Sequence, residues 1–151
     1  MAELHEHLLL FFSGISRYSS TVAQTKIDNI KERRAELRAM QQMVDEAINI
    51  LRNPATSIAD FGELLHEGWS LKKRLSDRVS TEFIDGIYDT ARGAGAIGGK
   101  VLGAGGGGFM LFFAPPERHA AIREALNTLV HVPFHLENAG SRIVVYQPNG
   151  L

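Results

Sequence analysis

Nine of the chain's 15 glycines fall between residues 93 and 108, at positions 93, 95, 98, 99, 103, 105, 106, 107 and 108. Fixing a glycine backbone costs roughly 0.5–1 kcal/mol more than fixing alanine, so such a cluster needs a purpose. Glycine clears space where another backbone or a ligand must come close. Successive N–H groups in a glycine-rich turn can also point into one concavity and hold an anion. The densest part is Gly103, Ala104, Gly105, Gly106, Gly107 and Gly108, and these six are the candidate substrate- or phosphate-loop residues. A tight chain crossing inside a core is the competing reading.

Two better-known glycine motifs fail on this stretch. For a P-loop ending at Gly99-Lys100, the first glycine is replaced by Ala94 and the Ser/Thr by Val101. The spacing G-x-G-x-x-G occurs at 93–98 and again at 103–108. The first follows a helical pattern and the second leads into a strand, whereas the dinucleotide fingerprint needs strand, turn, then helix. Other chemistry is sparse. With no cysteine there is no thiolate nucleophile and no disulfide framework. His131 and His135, four apart in an extended segment, would stand about 13 Å apart and could not share a metal. His5 and His7 flank a strand start and read as exposed. No metal site is expected. Trp69, Met40 and Met43 read as core or interface.

The elements around this loop follow from periodicity. Residues 7–13 form a short apolar run ended by Gly14, a buried strand. Ile30, Leu37, Met40, Val44, Ala47, Ile48 and Leu51 form one stripe of a long helix expected over 21–53. Lys31, Glu32, Arg33, Arg34, Glu36 and Arg38 supply its solvated face. Asn53-Pro54 stops it. Ser57 with Asp60 resembles a capping box for a second helix striped by Ile58, Phe61, Leu64, Leu65, Leu71 and Leu75. Gly68 on that face would admit a close neighbour. Ser80 is expected to cap a third helix whose apolar side is Phe83, Ile84, Ile87, Tyr88 and Ala91, with Gly93 at its C-cap. After a strand at 100–102 and the glycine loop, 109–114 lacks alternation and reads as a strand buried on both faces. A helix is expected over 116–129 with Pro at its start. Strands at 130–136, placed on an edge by Pro133, and at 143–146 complete the set. Helices and strands mix without regular βαβ alternation, which predicts α+β: an antiparallel sheet with helices on one face.

The totals bound the class. The 151 residues suit one domain with its own core. A net charge of −1 argues against nucleic acid as partner. The N-terminus carries Glu3 and Glu6 and too short an apolar run for a signal peptide. The uncharged stretch 101–116 is shorter than the roughly 20 residues of a spanning helix. A cytoplasmic protein with no membrane partner is expected.

Lys100, the apolar pair Val101-Leu102 and the run Gly-Ala-Gly-Gly-Gly-Gly at 103–108 resemble the third motif of the GHMP kinases. Residues 8–20, 84–100 and 140–146 are similar to the first strand and turn, the helix before that motif, and the last strand of the heptose 7-phosphate kinase branch. The resemblance runs over nearly the whole chain, but only over the C-terminal half of that family's fold. The family's nucleotide loop, Gly-Leu-x-Ser-Ser-Ala, is not found; Gly14, Ser19 and Ser20 have the wrong spacing.

The resemblance implies a single GHMP kinase C-terminal domain over 1–151, ferredoxin-like, with the N-terminal nucleotide-binding domain absent from this chain. It implies ATP and Mg2+ as cofactors of the complete kinase, none bound by this chain alone, and a sugar phosphate as acceptor. The six loop residues would line the cleft between domains. Arg17, in a segment that branch uses near substrate, would contact the sugar phosphate through its planar fork; a surface arginine near a helix start competes. No catalytic residue is expected here, and Lys100 is assigned no role. The chain alone is expected to be inactive and to form a homo-oligomer, a dimer by default. The alternative is a stand-alone binding or assembly module on the same fold.

Overall fold

The computed structural model describes residues 2–15, 19–137, 140, 141 and 143. Arg17 and residues 144–146 of the expected last strand lie outside these. The elements in chain order are α1 (Ala2–Glu6), β1 (Leu8–Phe12), α2 (Ser19–Asp28), α3 (Arg34–Arg52), α4 (Ile58–Arg74), α5 (Glu82–Gly93), β2 (Gly98–Val101), β3 (Phe109–Phe113), α6 (His119–Ala125) and β4 (Val130–His131). A 3₁₀ turn, Pro116–Arg118, leads into α6. The strands form one antiparallel sheet in the order β2-β3-β1-β4. This is the α+β architecture expected from the sequence. Among the described residues no helix is long and apolar enough to cross a membrane.

Register decides which residues face the core. Leu9 pairs with Phe112 and Phe11 with Met110. These four, with Val101 of β2, turn to one side and are almost fully buried. Ile84, Ile87, Tyr88 and Ala91 of α5, Ile122 of α6 and Trp69 of α4 close over them. The other side of β3 is different: Phe109 is 42% exposed against Phe12, and Leu111 is half-buried. The strand is therefore not buried on both faces as its composition suggested, because α5 and α6 cover only the inner one. Phe113 is the exception on the outer side, buried beneath Phe61 of α4.

Two glycines let α4 lie against β2. A Cβ on Gly98 would run into the carbonyl oxygen of Gly62, and one on Gly62 would stand 2.6 Å from Cδ1 of Phe113. Helix α3 packs on α4 from outside and buries no residue of its own.

Four local expectations are corrected. The helix expected over 21–53 is two helices. It breaks at Asn29, whose Nδ2 donates to the Leu75 carbonyl (3.0 Å), 46 residues away. The α5 cap is Thr81, whose Oγ1 accepts from the Ile84 amide, and Ser80 instead donates to Asp85. At the other end Gly93 is the last helical residue, and the left-handed position falls to Gly95 at φ +112. Ser57 does cap α4, accepting from the Ala59 amide. The strand expected over 130–136 is short, Val130–His131, and lies on the sheet edge among the described residues.

Candidate functional site

The glycine loop joins β2 to β3, and the Leu102 amide donates to the Phe109 carbonyl (2.8 Å) at its neck. Gly103, Gly105, Gly106, Gly107 and Gly108 all have positive φ, a conformation that side chains resist. Close approach is a second reason for glycine at two of them. A Cβ on Gly105 would stand 2.6 Å from the Val79 carbonyl oxygen, and one on Gly107 would stand 2.9 Å from the Ile15 carbonyl oxygen. The same segments bond the loop: Gly106 N–H donates to Val79 and Gly108 N–H to Ile15, both at 2.8 Å, and Gly108 accepts from Ser13 (2.9 Å). The loop is thus held between the chain leaving β1 and the turn before α5.

The reading of the glycines as a tight chain crossing is therefore seen in part of the loop. Gly106 and Gly107 are buried in a chain crossing, while Gly103 is exposed. The amides of Gly106 and Gly108 are used internally. Those of Gly103, Ala104, Gly105 and Gly107 have no protein acceptor among the described residues.

Lysines complete the site, and sequence reasoning missed two of them. Lys72 of α4 donates through Nζ to the carbonyls of Val101 (2.9 Å) and Gly103 (2.8 Å). Lys26 of α2 donates to the Ala104 carbonyl (2.9 Å). Lys100 of β2 stands near enough to act on Lys72. Burial, then the charges of Lys100 and Lys26, push the Lys72 ammonium down to about 8. None of the three pairs with a carboxylate among the described residues. The loop therefore sits in positive potential, which draws anions toward it. Nothing local in the sequence marks Lys26 or Lys72, since they lie 78 and 31 residues from their loop partners.

The histidines are brought elsewhere. His5 stacks on His135 at 5.4 Å, and His131 lies against Phe11. Burial holds His119 and His131 below the ordinary imidazole value. Among the described residues no three His, Asp or Glu side chains are grouped to hold a metal ion. A phosphate-bearing cofactor fits the loop's free amides and lysines better than a directly ligated metal would.

A family model described as "GHMP kinases C terminal" matches residues 28–131. The D-glycero-alpha-D-manno-heptose 7-phosphate kinase of Campylobacter jejuni is 34% identical over 128 residues, which cover 83% of this chain and 37% of that enzyme. A mevalonate kinase of Pyrococcus horikoshii is 39% identical over 82 residues, 52% of this chain and 24% of the relative. Among solved structures, L. major mevalonate kinase in complex with R-mevalonate superposes with a TM-score of 0.70 at 20% identity, covering 82% of this chain and 40% of that one. That last likeness is one of fold. The chain spans well under half the length of each of these relatives.

Proposed function

Because this chain belongs to the GHMP kinase family, we propose that it forms the C-terminal domain of an ATP-dependent sugar kinase whose acceptor is a heptose 7-phosphate or a similar sugar phosphate. The observation that carries the reading is the glycine loop, with four amides free and three lysines around it. Phosphoryl transfer depends on positioning and on stabilising charge rather than on covalent chemistry by the protein. In this reading Gly103, Ala104, Gly105 and Gly107 offer N–H groups to phosphoryl oxygens in a cleft shared with an N-terminal domain. Lys26 and Lys72 hold the loop in shape and raise the local potential. Arg17 contacts the sugar phosphate. ATP and Mg2+ bind the complete kinase, in the cytoplasm where ATP is supplied.

A chimera tests this. The N-terminal domain of the C. jejuni enzyme is joined ahead of this chain and assayed with ATP and the heptose 7-phosphate. Transfer is expected from the chimera and none from this chain by itself. Gly105→Val is expected to lower the chimera's rate by about a hundredfold or more, the effect of a misplaced reacting group. A folded chimera without activity would favour the stand-alone binding module. A wild-type rate in a folded Gly105→Val chimera would show that the loop takes no part in the transfer.

A further inference from the structure

Lys72 is set apart from the chain's other lysines by what holds it. It is half-buried. Its Nζ donates to the carbonyls of Val101 (2.9 Å) and Gly103 (2.8 Å) and lies 5.8 Å from the centre of the Trp69 ring. Lys26 is fastened one residue further along the loop, at the Ala104 carbonyl, and Lys100 acts on Lys72 from β2. Among the described residues no carboxylate pairs with any of the three. An ammonium group has three N–H bonds, whereas a free amine has two and a lone pair. The two carbonyls engage two of those N–H bonds. Loss of the third proton therefore leaves both hydrogen bonds in place and turns a lone pair away from the two carbonyls. That proton is weakly held: burial, then the charges of Lys100 and Lys26, bring Lys72 down to about 8. About half of it is free amine at pH 8, against less than about one part in a hundred for a lysine at the ordinary 10.5. The same chain supplies the contrast. Lys73, next in sequence, pairs with Asp85 at 3.0 Å, and Lys31 stands exposed.

We propose that Lys72 is an acylation site for small acyl phosphates, and that its acylation unfastens the glycine loop from α4. The lone pair of Nζ attacks the acyl carbon. The C–O bond to phosphate breaks, phosphate leaves with that electron pair, and the surplus proton on nitrogen passes to the phosphate. Lys26 and Lys100 serve this step twice. Their charge draws the anionic donor to Lys72, and it stabilises the negative charge that grows on the departing phosphate. An uncharged ester gains nothing from the first effect, so the phosphate-bearing class is the one that fits. The product amide keeps one N–H where the ammonium had three. It cannot serve Val101 and Gly103 as the amine did, and the loop loses a tie to α4. The proposal does not depend on the kinase reading, because Lys72, its two carbonyls and both neighbouring lysines belong to this chain alone.

The test uses the chain as it is, with acetyl phosphate as the acyl phosphate and phenyl acetate as an uncharged donor. Acetylation is quantified at each lysine by peptide mass spectrometry after short exposures. Near neutral pH, Lys72 is expected to react about tenfold or more faster than Lys31 or Lys73. Its rate should climb with pH and level off above about 8, as the free amine does. Its preference over Lys31 should be about threefold or more larger with acetyl phosphate than with phenyl acetate, and added salt should remove that surplus alone. Lys100→Gln, with folding checked by circular dichroism, should slow acetyl phosphate at Lys72 severalfold by removing a neighbouring charge. Hydrogen exchange reads the consequence. The Leu102 amide, bonded across the neck of the loop, should exchange about tenfold faster in the acetylated chain. Lys72 labelled no faster than Lys31 would overturn the site. No extra preference with acetyl phosphate, or no effect of Lys100→Gln, would rule out the acyl phosphate as its donor. Unchanged exchange at Leu102 would refute the unfastening of the loop.

Discussion

Gly103 and Gly105 share a positive φ but not a neighbourhood, and that difference is measurable. Nothing lies within 4 Å of a Cβ built on Gly103, whereas one on Gly105 meets backbone atoms of Val79. Gly103→Ala is expected to cost about 1–2 kcal/mol, the left-handed penalty alone. Gly105→Ala is expected to cost roughly 3 kcal/mol or more, because backbone cannot give way as a side chain can. Urea denaturation of the two variants decides it, and equal losses would mean that the loop yields at Val79. Lys72 carries a pH signature. Its folded value of about 8 lies below the ordinary 10.5, so between those values the unfolded chain binds more protons. The group therefore makes stability rise as pH climbs from about 8 toward 10.5, and adds no further slope above that. Lys72→Met should flatten this rise, and denaturation at pH 8 and pH 10 reads the slope; an unchanged slope would show that the ammonium is not held down. The glycines were legible in the sequence because their cluster is local. Lys72 was not, because a lysine in the last turn of a helix looks like any other until the fold brings it to the loop.

Elements were legible where one short-range force sets them. Ser57 at the start of α4 and the apolar run of β1 needed no knowledge of the rest of the chain. Where two neighbours compete, tertiary contacts decide. Ser80 and Thr81 are both good cap residues. Asp85 takes the Ser80 hydroxyl, and Thr81 is left to bond the Ile84 amide. Thr81→Ala is accordingly expected to lower stability by about 1 kcal/mol and Ser80→Ala by less, as thermal unfolding of each would show; the reverse order would move the cap one residue upstream. The break at Asn29 was hidden for a related reason, since its partner is the carbonyl of Leu75, 46 residues away. Burial of β3 was misread because an apolar strand records that it can be covered, not how many layers the chain has to cover it. Phe109 and Leu111 lie on the side that α5 and α6 do not reach.

At the scale of the molecule, the fold class followed from mixed helical and extended periodicities, and the family from the motif running from Lys100 to Gly108, whose glycines all take positive φ. What no pattern reported is how unequally the helices are anchored. Helix α5 places Ile84, Ile87, Tyr88 and Ala91 in the core, while the longer α3 buries no residue. Free energy of local opening follows the apolar surface that opening exposes. Hydrogen exchange should therefore run far faster along α3 than along α5, and equal protection in the two would contradict the packing described. The consequence is one of time rather than of shape. With that outcome, α3 opens and closes many times during one lifetime of the folded sheet. Leu64 and Leu65 beneath it would then meet water through the motion of α3 alone, at a rate the core does not set.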